Sequence, residues 1–385
     1  MPLGVGLVGY AFMGAVHSQA WRTVNRFFDL PAQAELAVLC GRNKEAATAA
    51  AAKFGYPAVE TDWHAVLDRD DVQIVDVCTP GNSHAEISIA ALQAGKHVLC
   101  EKPLANTVAE ARAMVAAAEA APGKSMVGFN YRRLPAVSFA RQLVADGRLG
   151  TIRHVRAAYL QDWIIDPEFP LAWRLQKEHA GSGSLGDLGA HIIDMTQFVT
   201  GQQITGVSAL TETFIKTRPL PASSSGLSGQ ASTERGEVTV DDAALFLARF
   251  HGGAVASFEA TRFAQGRKNG LHLEINGDGG SLVFDLERLN ELEFFDASLD
   301  PTEAGFRRIL VTEPTHPYVA AWWPPGHGLG YEHSFTHEAR DFIEAIATDG
   351  SPAPSFVDGL RVQLVLDAVE RSAAADSTWT PIEHV

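Results

Sequence analysis

Cysteine is scarce, with three residues (Cys40, Cys78, Cys100) in a chain of 385. They lack metal-ligand spacing and cannot build a disulfide framework, so they fit reduced core thiols in a cytoplasmic protein. Long apolar runs are missing too; none approaches the roughly 20 residues that span a bilayer, and no membrane partner is expected. The first residues carry no basic stretch and no cleavage-site pattern, which argues against a secretory signal. Basic residues are outnumbered, 31 Lys and Arg against 46 Asp and Glu, for a formal net charge of −15. A surface of that sign does not attract nucleic acid. What remains is the composition of an ordinary globular protein, 46% apolar and 20% charged, long enough for two domains.

Three stretches carry chemistry in the first third. Residues 3–8 form a small apolar strand, followed by Gly9-Tyr10-Ala11-Phe12-Met13-Gly14 and a helix to about residue 27. Strand, glycine-rich turn and helix is the context in which G-x-G-x-x-G binds a dinucleotide, with turn amides and helix N-terminus on the pyrophosphate. Ala11 replaces the middle glycine, a departure of one methyl. The second strand, residues 36–40, ends in Gly41-Arg42-Asn43. An NAD-specific site usually places an acid there for the ribose 2′-hydroxyl. Its absence, with Arg42 available to a 2′-phosphate, tilts the expectation from NAD towards NADP; the plain alternative makes Arg42 a surface residue at a helix start. Next, residues 72–78 lead into Thr79-Pro80-Gly81-Asn82-Ser83-His84, with Ser83 expected as a helix N-cap. Last, residues 96–100 end abruptly in Glu101-Lys102-Pro103. Strands alternating with helices in this rhythm make a parallel, doubly wound sheet. Its carboxyl edge, where ligands bind, then gathers Gly9, Thr79, Pro80, Asn82, His84 and Lys102. A helix over 107–121, capped by Thr107, and a strand over 125–128 close this unit near residue 130.

Together, Gly9…Gly14, Cys78-Thr79-Pro80…His84 and Glu101-Lys102-Pro103 resemble the glucose-fructose oxidoreductase / inositol dehydrogenase / rhizopine catabolism (Gfo/Idh/MocA) family. Gly128-Phe129-Asn130-Tyr131-Arg132 and Gly186-Asp187-Leu188-Gly189-Ala190-His191 extend the likeness over essentially the whole chain. The resemblance implies a Rossmann domain (1–130) and an α/β domain (131–385) with a large, mostly antiparallel open sheet that commonly forms homo-oligomer contacts. It implies an NAD(P)-dependent dehydrogenase acting on a hydroxyl of a sugar, anhydrosugar or cyclitol. The matching catalytic positions are Lys102, Asp187 and His191. Pro80, Asn82, His84, Glu101 and Lys102 match the nicotinamide half of a cofactor site that also includes Asn130, and the Trp173-Arg174 pair makes Arg174 a further candidate. Redox-neutral enzymes that use bound NAD, and nucleotide-sensing regulators, stand as alternatives on the same scaffold.

In the second half, a helix from about 187 to 200 puts Asp187, His191, Asp194 and Phe198 on one face. A histidine held by a carboxylate one turn earlier is the arrangement of a general base, and Lys102 would hydrogen-bond the same substrate oxygen. Asp187 read without the family is a helix N-terminal charge favoured by the macrodipole; Asp194 reads as structural. Trp163 and Trp173 are either sugar-stacking platforms or interdomain core, and Tyr131 is a substrate candidate. Apolar alternation over 204–215, 243–250, 254–260, 271–275 and 281–284 predicts a strand meander. The Ser/Gly-rich stretch 223–236 reads as a mobile loop. Residues 322–328 read equally as a lid or a subunit interface. His333 and His337 have helical metal-ligand spacing, but no third ligand is evident, and no metal is assigned.

Overall fold

The computed structural model describes residues 2–225 and 228–385. The chain opens as strand–helix alternation: β1 (Leu3–Val8), α1 (Phe12–Phe27), β2 (Ala34–Cys40), α2 (Lys44–Phe54), β3 (Ala58–Glu60), α3 (Trp63–Leu67), β4 (Ile74–Val77), α4 (His84–Gln93), β5 (His97–Glu101), α5 (Val108–Ala120) and β6 (Ser125–Gly128). The six strands pair in parallel in the order β3-β2-β1-β4-β5-β6. β1, β4 and β5 are nearly continuous runs of buried residues, as a sheet covered on both faces requires. The strand order reverses between β1 and β4, and the crevice at such a switch point is the binding edge of an open α/β sheet. α5 starts where expected, with Thr107 and Glu110 forming a reciprocal capping box. Ser83 stands at the N-cap of α4, yet its hydroxyl turns back to Thr79 Oγ1 and the Pro80 carbonyl.

Beyond α6 (Pro135–Ala145) lies β7 (Ile152–Leu160), the middle strand of a nine-stranded sheet. α7 (Lys177–Ala180) and α8 (Ala190–Thr200) precede β8 (Ile204–Glu212), β9 (Thr217–Ser225), β10 (Ser228–Glu237), β11 (Ala243–Phe250), β12 (Val255–Thr261), β13 (Gly270–Gly277), β14 (Gly280–Asp285), β15 (Glu291–Asp296) and β16 (Arg307–Leu310). Then come α9 (Tyr331–Ala347), α10 (Phe356–Ala374) and β17 (Thr380–Pro381), giving the sheet order β16-β15-β14-β13-β7-β12-β11-β8-β17. Its pairs are antiparallel except β7 with β12. Strict alternation in β11 buries Phe246, Ala248 and Phe250 inward and turns Leu245 and Leu247 outward. α9 packs along α1 and α10 lies on α5 and β8, so the C-terminal helices tie back to the first sheet.

Three expectations change. Residues 223–236 belong mostly to a hairpin of β9 and β10 rather than a loop, with residues 226–227 outside the described residues. Backbone pairing leaves no mark in so polar a sequence, but the base of the hairpin is anchored. The Arg218 guanidinium donates to the carbonyls of Ile164 (2.6 Å) and Asp166 (2.7 Å). The segment 322–328 does not line the cleft described below; Trp322 packs on Phe27 with ring centroids 4.3 Å apart and on His333 at 4.4 Å. Finally, His337 accepts from Trp322 Nε1 (2.7 Å) and donates to the Arg133 carbonyl (2.9 Å). Both its ring nitrogens are engaged, and burial pushes its pKa down to about 3. The His333–His337 spacing is therefore a packing feature.

Candidate active site

At the carboxyl edge of the first sheet a cleft of about 540 Å3 opens towards the second. Its first wall comes from strand ends. Gly9, at φ 102°, closes β1, and a Cβ there would lie 2.6 Å from the Cys78 carbonyl, so the two turns touch backbone to backbone. α1 begins at Phe12 with no side-chain cap and no acid in its first turn, leaving its amides to a ligand. Ala11, Phe12 and Met13 line the cleft with Thr79, Pro80, His84, Glu101, Lys102 and Asn130. The uncapped start of α1 suits the pyrophosphate of a dinucleotide.

Four sequence candidates stand off the cleft lining. Gly9 and Gly14 lie beneath the turn; a Cβ on Gly14 would sit 2.1 Å from the Gly9 carbonyl, so both act through backbone packing. Asn82 is exposed, with its amide 3.4 Å from His179 Nδ1. Arg42 is exposed at the end of β2. Two others line the cleft and hydrogen-bond within the protein. His84 donates to the carbonyls of Pro103 (3.0 Å) and Thr79 (2.9 Å), and Asn130 donates to Ser334 Oγ (2.8 Å).

The opposite wall brings Asp187, Arg262 and His191 towards Lys102. Lys102 Nζ donates to the backbone carbonyl of Asp187 (3.0 Å) and to its Oδ1 (3.2 Å), spanning 85 residues of sequence. Arg262 Nη1 stands 3.9 Å from the other carboxylate oxygen. Burial alone would raise the Asp187 pKa; Lys102, then Arg262 and Arg174, outweigh it and hold the carboxyl far below its usual range. His191 is 7% exposed, beside Tyr131 at a ring separation of 4.5 Å. Burial first and the Lys102 charge second push its pKa well below the ordinary value, although Asp187 pulls the other way.

The expectation that Asp187 orients His191 is corrected here. Residues Leu185–Gly189 form a π-helical turn before α8, with the Ala190 amide bonded back to the Leu185 carbonyl. Asp187 sits in the middle of this wider turn, a feature that recurs at functional sites. Its carboxylate goes to Lys102, and among the described residues no hydrogen bond joins it to His191. The Gly181–Ser184 lead-in is also held: Asp241 accepts from the amides of Gly183 and Leu185 and from the Ser184 hydroxyl. Asp194 is structural, gripped by Arg132 at 2.8 Å.

Tyr159, Gln161, Arg262 and Asn269, which carried no signal in the sequence, finish this wall beside the expected Tyr131, Trp163 and Arg174. Leu160 pairs with both Gly270 and Thr261, so the residues just past three strand ends converge. Tyr131 and Tyr159 share a hydroxyl–hydroxyl bond (2.8 Å), Tyr159 donates to Asn269 (2.7 Å), and Gln161 donates to Asn269 (2.8 Å) and accepts from Trp163 Nε1 (2.9 Å). Trp163 lines the cleft with the Arg262 guanidinium 5.4 Å from its ring, and the Arg174 guanidinium lies 4.3 Å over Trp173. A row of hydroxyls and amides beside an aromatic face suits a polyhydroxylated ligand.

A parallel Rossmann sheet joined to this cleft defines a nicotinamide-dependent oxidoreductase. Residues 3–129 match the oxidoreductase family with an NAD-binding Rossmann fold, and residues 137–283 match the GFO/IDH/MocA C-terminal domain. The chain belongs to the Gfo/Idh/MocA family. It is 44% identical to levoglucosan dehydrogenase of Pseudarthrobacter phenanthrenivorans, over 100% of this chain and 99% of that one. Inositol 2-dehydrogenase of Rhizobium meliloti is 25% identical over 97% of this chain and 98% of its own. Among solved structures, an oxidoreductase domain protein of Kribbella flavida superposes with TM-score 0.95 at 64% identity, each chain covered in full. Levoglucosan dehydrogenase in complex with NADH and levoglucosan superposes with TM-score 0.94 at 44% identity, again over both full chains.

Proposed function

We propose that this protein is an NAD(P)-dependent dehydrogenase that oxidises a secondary or anomeric hydroxyl of a sugar, anhydrosugar or cyclitol. The observation that carries the reading is the meeting of Lys102 and Asp187 beside the His191 ring in one cleft, although they come from opposite walls. NAD(P), when bound, supplies the hydride acceptor. His191, neutral in its buried setting, takes the hydroxyl proton. Lys102 donates to the same oxygen and stabilises its alkoxide character. Asp187 orients Lys102 by taking two of its contacts at the carbonyl and the carboxylate. Tyr131 and Trp163 hold the sugar, and the Arg174 charge favours the ionised Asp187.

The end of β2 supports a reading of the cofactor preference. A Cβ at Gly41 would come within 1.9 Å of the Tyr10 ring, so no carboxylate fits there while Tyr10 keeps its place. Asn43 is committed to capping α2 through Ala46. Arg42 is then the charged side chain next in line for a 2′-phosphate, which favours NADP; the NADH complexes of the levoglucosan enzyme make NAD the necessary comparison. The outer face of the large sheet supports a homo-oligomer. There Leu210 pairs across to Leu245, and Leu247 and Val255 lie beside them, all exposed. Light scattering on Leu245→Lys checks this, with a smaller particle expected.

The deciding experiment is a panel of sugars, anhydrosugars and inositols incubated with NAD and NADP separately and followed by the absorbance of reduced nicotinamide. Turnover with at least one polyol supports the proposal. Product formation without net reduced cofactor, or cofactor binding without turnover on the whole panel, overturns it.

A further inference from the structure

Behind the Glu-Lys-Pro turn lies a buried charged cluster that meets the cleft at Glu101 and Cys78 and has no part in the chemistry above. His17, three residues into α1 after Gly14, is 2% exposed. Its Nδ1 is 3.0 Å from both carboxylate oxygens of Asp76, and its Nε2 is 3.0 Å from Glu101 Oε1. Asp76 also accepts from Trp21 Nε1 (2.7 Å) and from the Cys78 thiol (3.5 Å). The other oxygen of Glu101 accepts the backbone amide of Lys102 at 3.0 Å. One imidazole thus joins the helix that opens the cofactor turn, the strand that leads to Thr79-Pro80, and the strand that delivers Lys102.

We infer that His17 is a positioning residue for Lys102: held between Asp76 and Glu101, its ring fixes the carboxylate that takes the Lys102 amide, and so sets where the ammonium enters the cleft. The inference rests on the dehydrogenase reading of Lys102. A ring with an ionised carboxylate at each nitrogen donates from both, which only the imidazolium can do. Burial would lower its pKa, but the Asp76 carboxylate and neighbours outweigh this and raise it well above the ordinary value. The other titratable groups facing it are Cys78, Tyr56, Tyr331 and Glu338. Burial pushes the Glu338 carboxyl up to about 8, so it is mostly uncharged at neutral pH. His17, Asp76 and Cys78 also stand close enough to ligate a metal. The Cys78 thiol, however, is pushed far up by burial and by Asp76, and His17 already spends both nitrogens on carboxylates. The cluster is an ion-pair network.

The test is kinetic. In an otherwise native chain, His17→Gln should lower kcat about tenfold or more per cofactor-binding site counted by NADH titration, since small misplacements of catalytic groups cost up to ~100-fold. The KM for cofactor should change less than about threefold. In a Lys102→Met background the same His17→Gln change should cost less than about twofold, because its effect runs through Lys102. An equal loss in both backgrounds, or full activity of His17→Gln alone, overturns the inference. Should the variant not fold, 15N spectra of histidine-labelled native protein decide it: both His17 nitrogens protonated at neutral pH is the expected result, and a neutral tautomer overturns it. A native protein that reduces no cofactor with any polyol defeats the dehydrogenase reading instead, while the spectra still test the network.

Discussion

His17 and His191 are both buried within the reach of Glu101-Lys102, one behind that turn and one in front, and the protein treats them oppositely. Behind the turn, two carboxylates hold an imidazolium; in front, an aromatic wall and the Lys102 ammonium hold a neutral ring. A single residue type is favoured as a cation in one place and as a neutral ring in the other by the sign of the nearest charge. Burial acts on both in the same direction and does not distinguish them.

The contrast breaks hardest at the front. His191→Ala should lower kcat/KM by about 10²–10⁴, the range of a general base, in steady-state assays with the best polyol. Lys102→Met should cost about 10²–10³, the range of one donor to a developing oxyanion. Since the His191 pKa is lowered, the acid limb of the kcat/KM profile should fall below pH 6.5; a limb at or above 6.5 would assign the base elsewhere.

The same contrast gives opposite slopes in stability. His17 has its pKa raised by folding, so its contribution is complete below about 6.5, declines above that, and is lost as pH passes the folded value. His191 has its pKa lowered, so below about 6.5 the unfolded chain binds the extra proton and acid destabilises the fold. Melting temperatures across pH should therefore show the native margin over His17→Gln shrinking as pH rises. His191→Gln should lose some of the native protein's acid sensitivity. Parallel curves for all three proteins would remove the distinction. The smallest effect belongs to the cofactor end, where Arg42→Ala should lower kcat/KM with NADP more than with NAD.

What the sequence made legible is what short spacing encodes. The glycine turn, Thr79-Pro80 and Glu101-Lys102-Pro103 each lie at the end of an apolar run, and the parallel sheet brings them to one edge because strands of one direction end on one side. His191 could be placed in the site from its motif. Its relation to Asp187 could not, because the group that takes the Asp187 carboxylate, Lys102, lies 85 residues away in sequence. The link of His17 to Asp76 and Glu101 crosses 59 and 84 residues, and Tyr159, Gln161, Arg262 and Asn269 meet only through the register of β7 with β12 and β13. Such contacts belong to strand pairing, which no local pattern records.

A crystal structure of the enzyme with cofactor and its best polyol is the most direct test. The account predicts one substrate hydroxyl within hydrogen-bond reach of both Lys102 Nζ and a ring nitrogen of His191, with its carbon facing the nicotinamide. A hydroxyl touching only one of the two, or a sugar seated away from both, would contradict it.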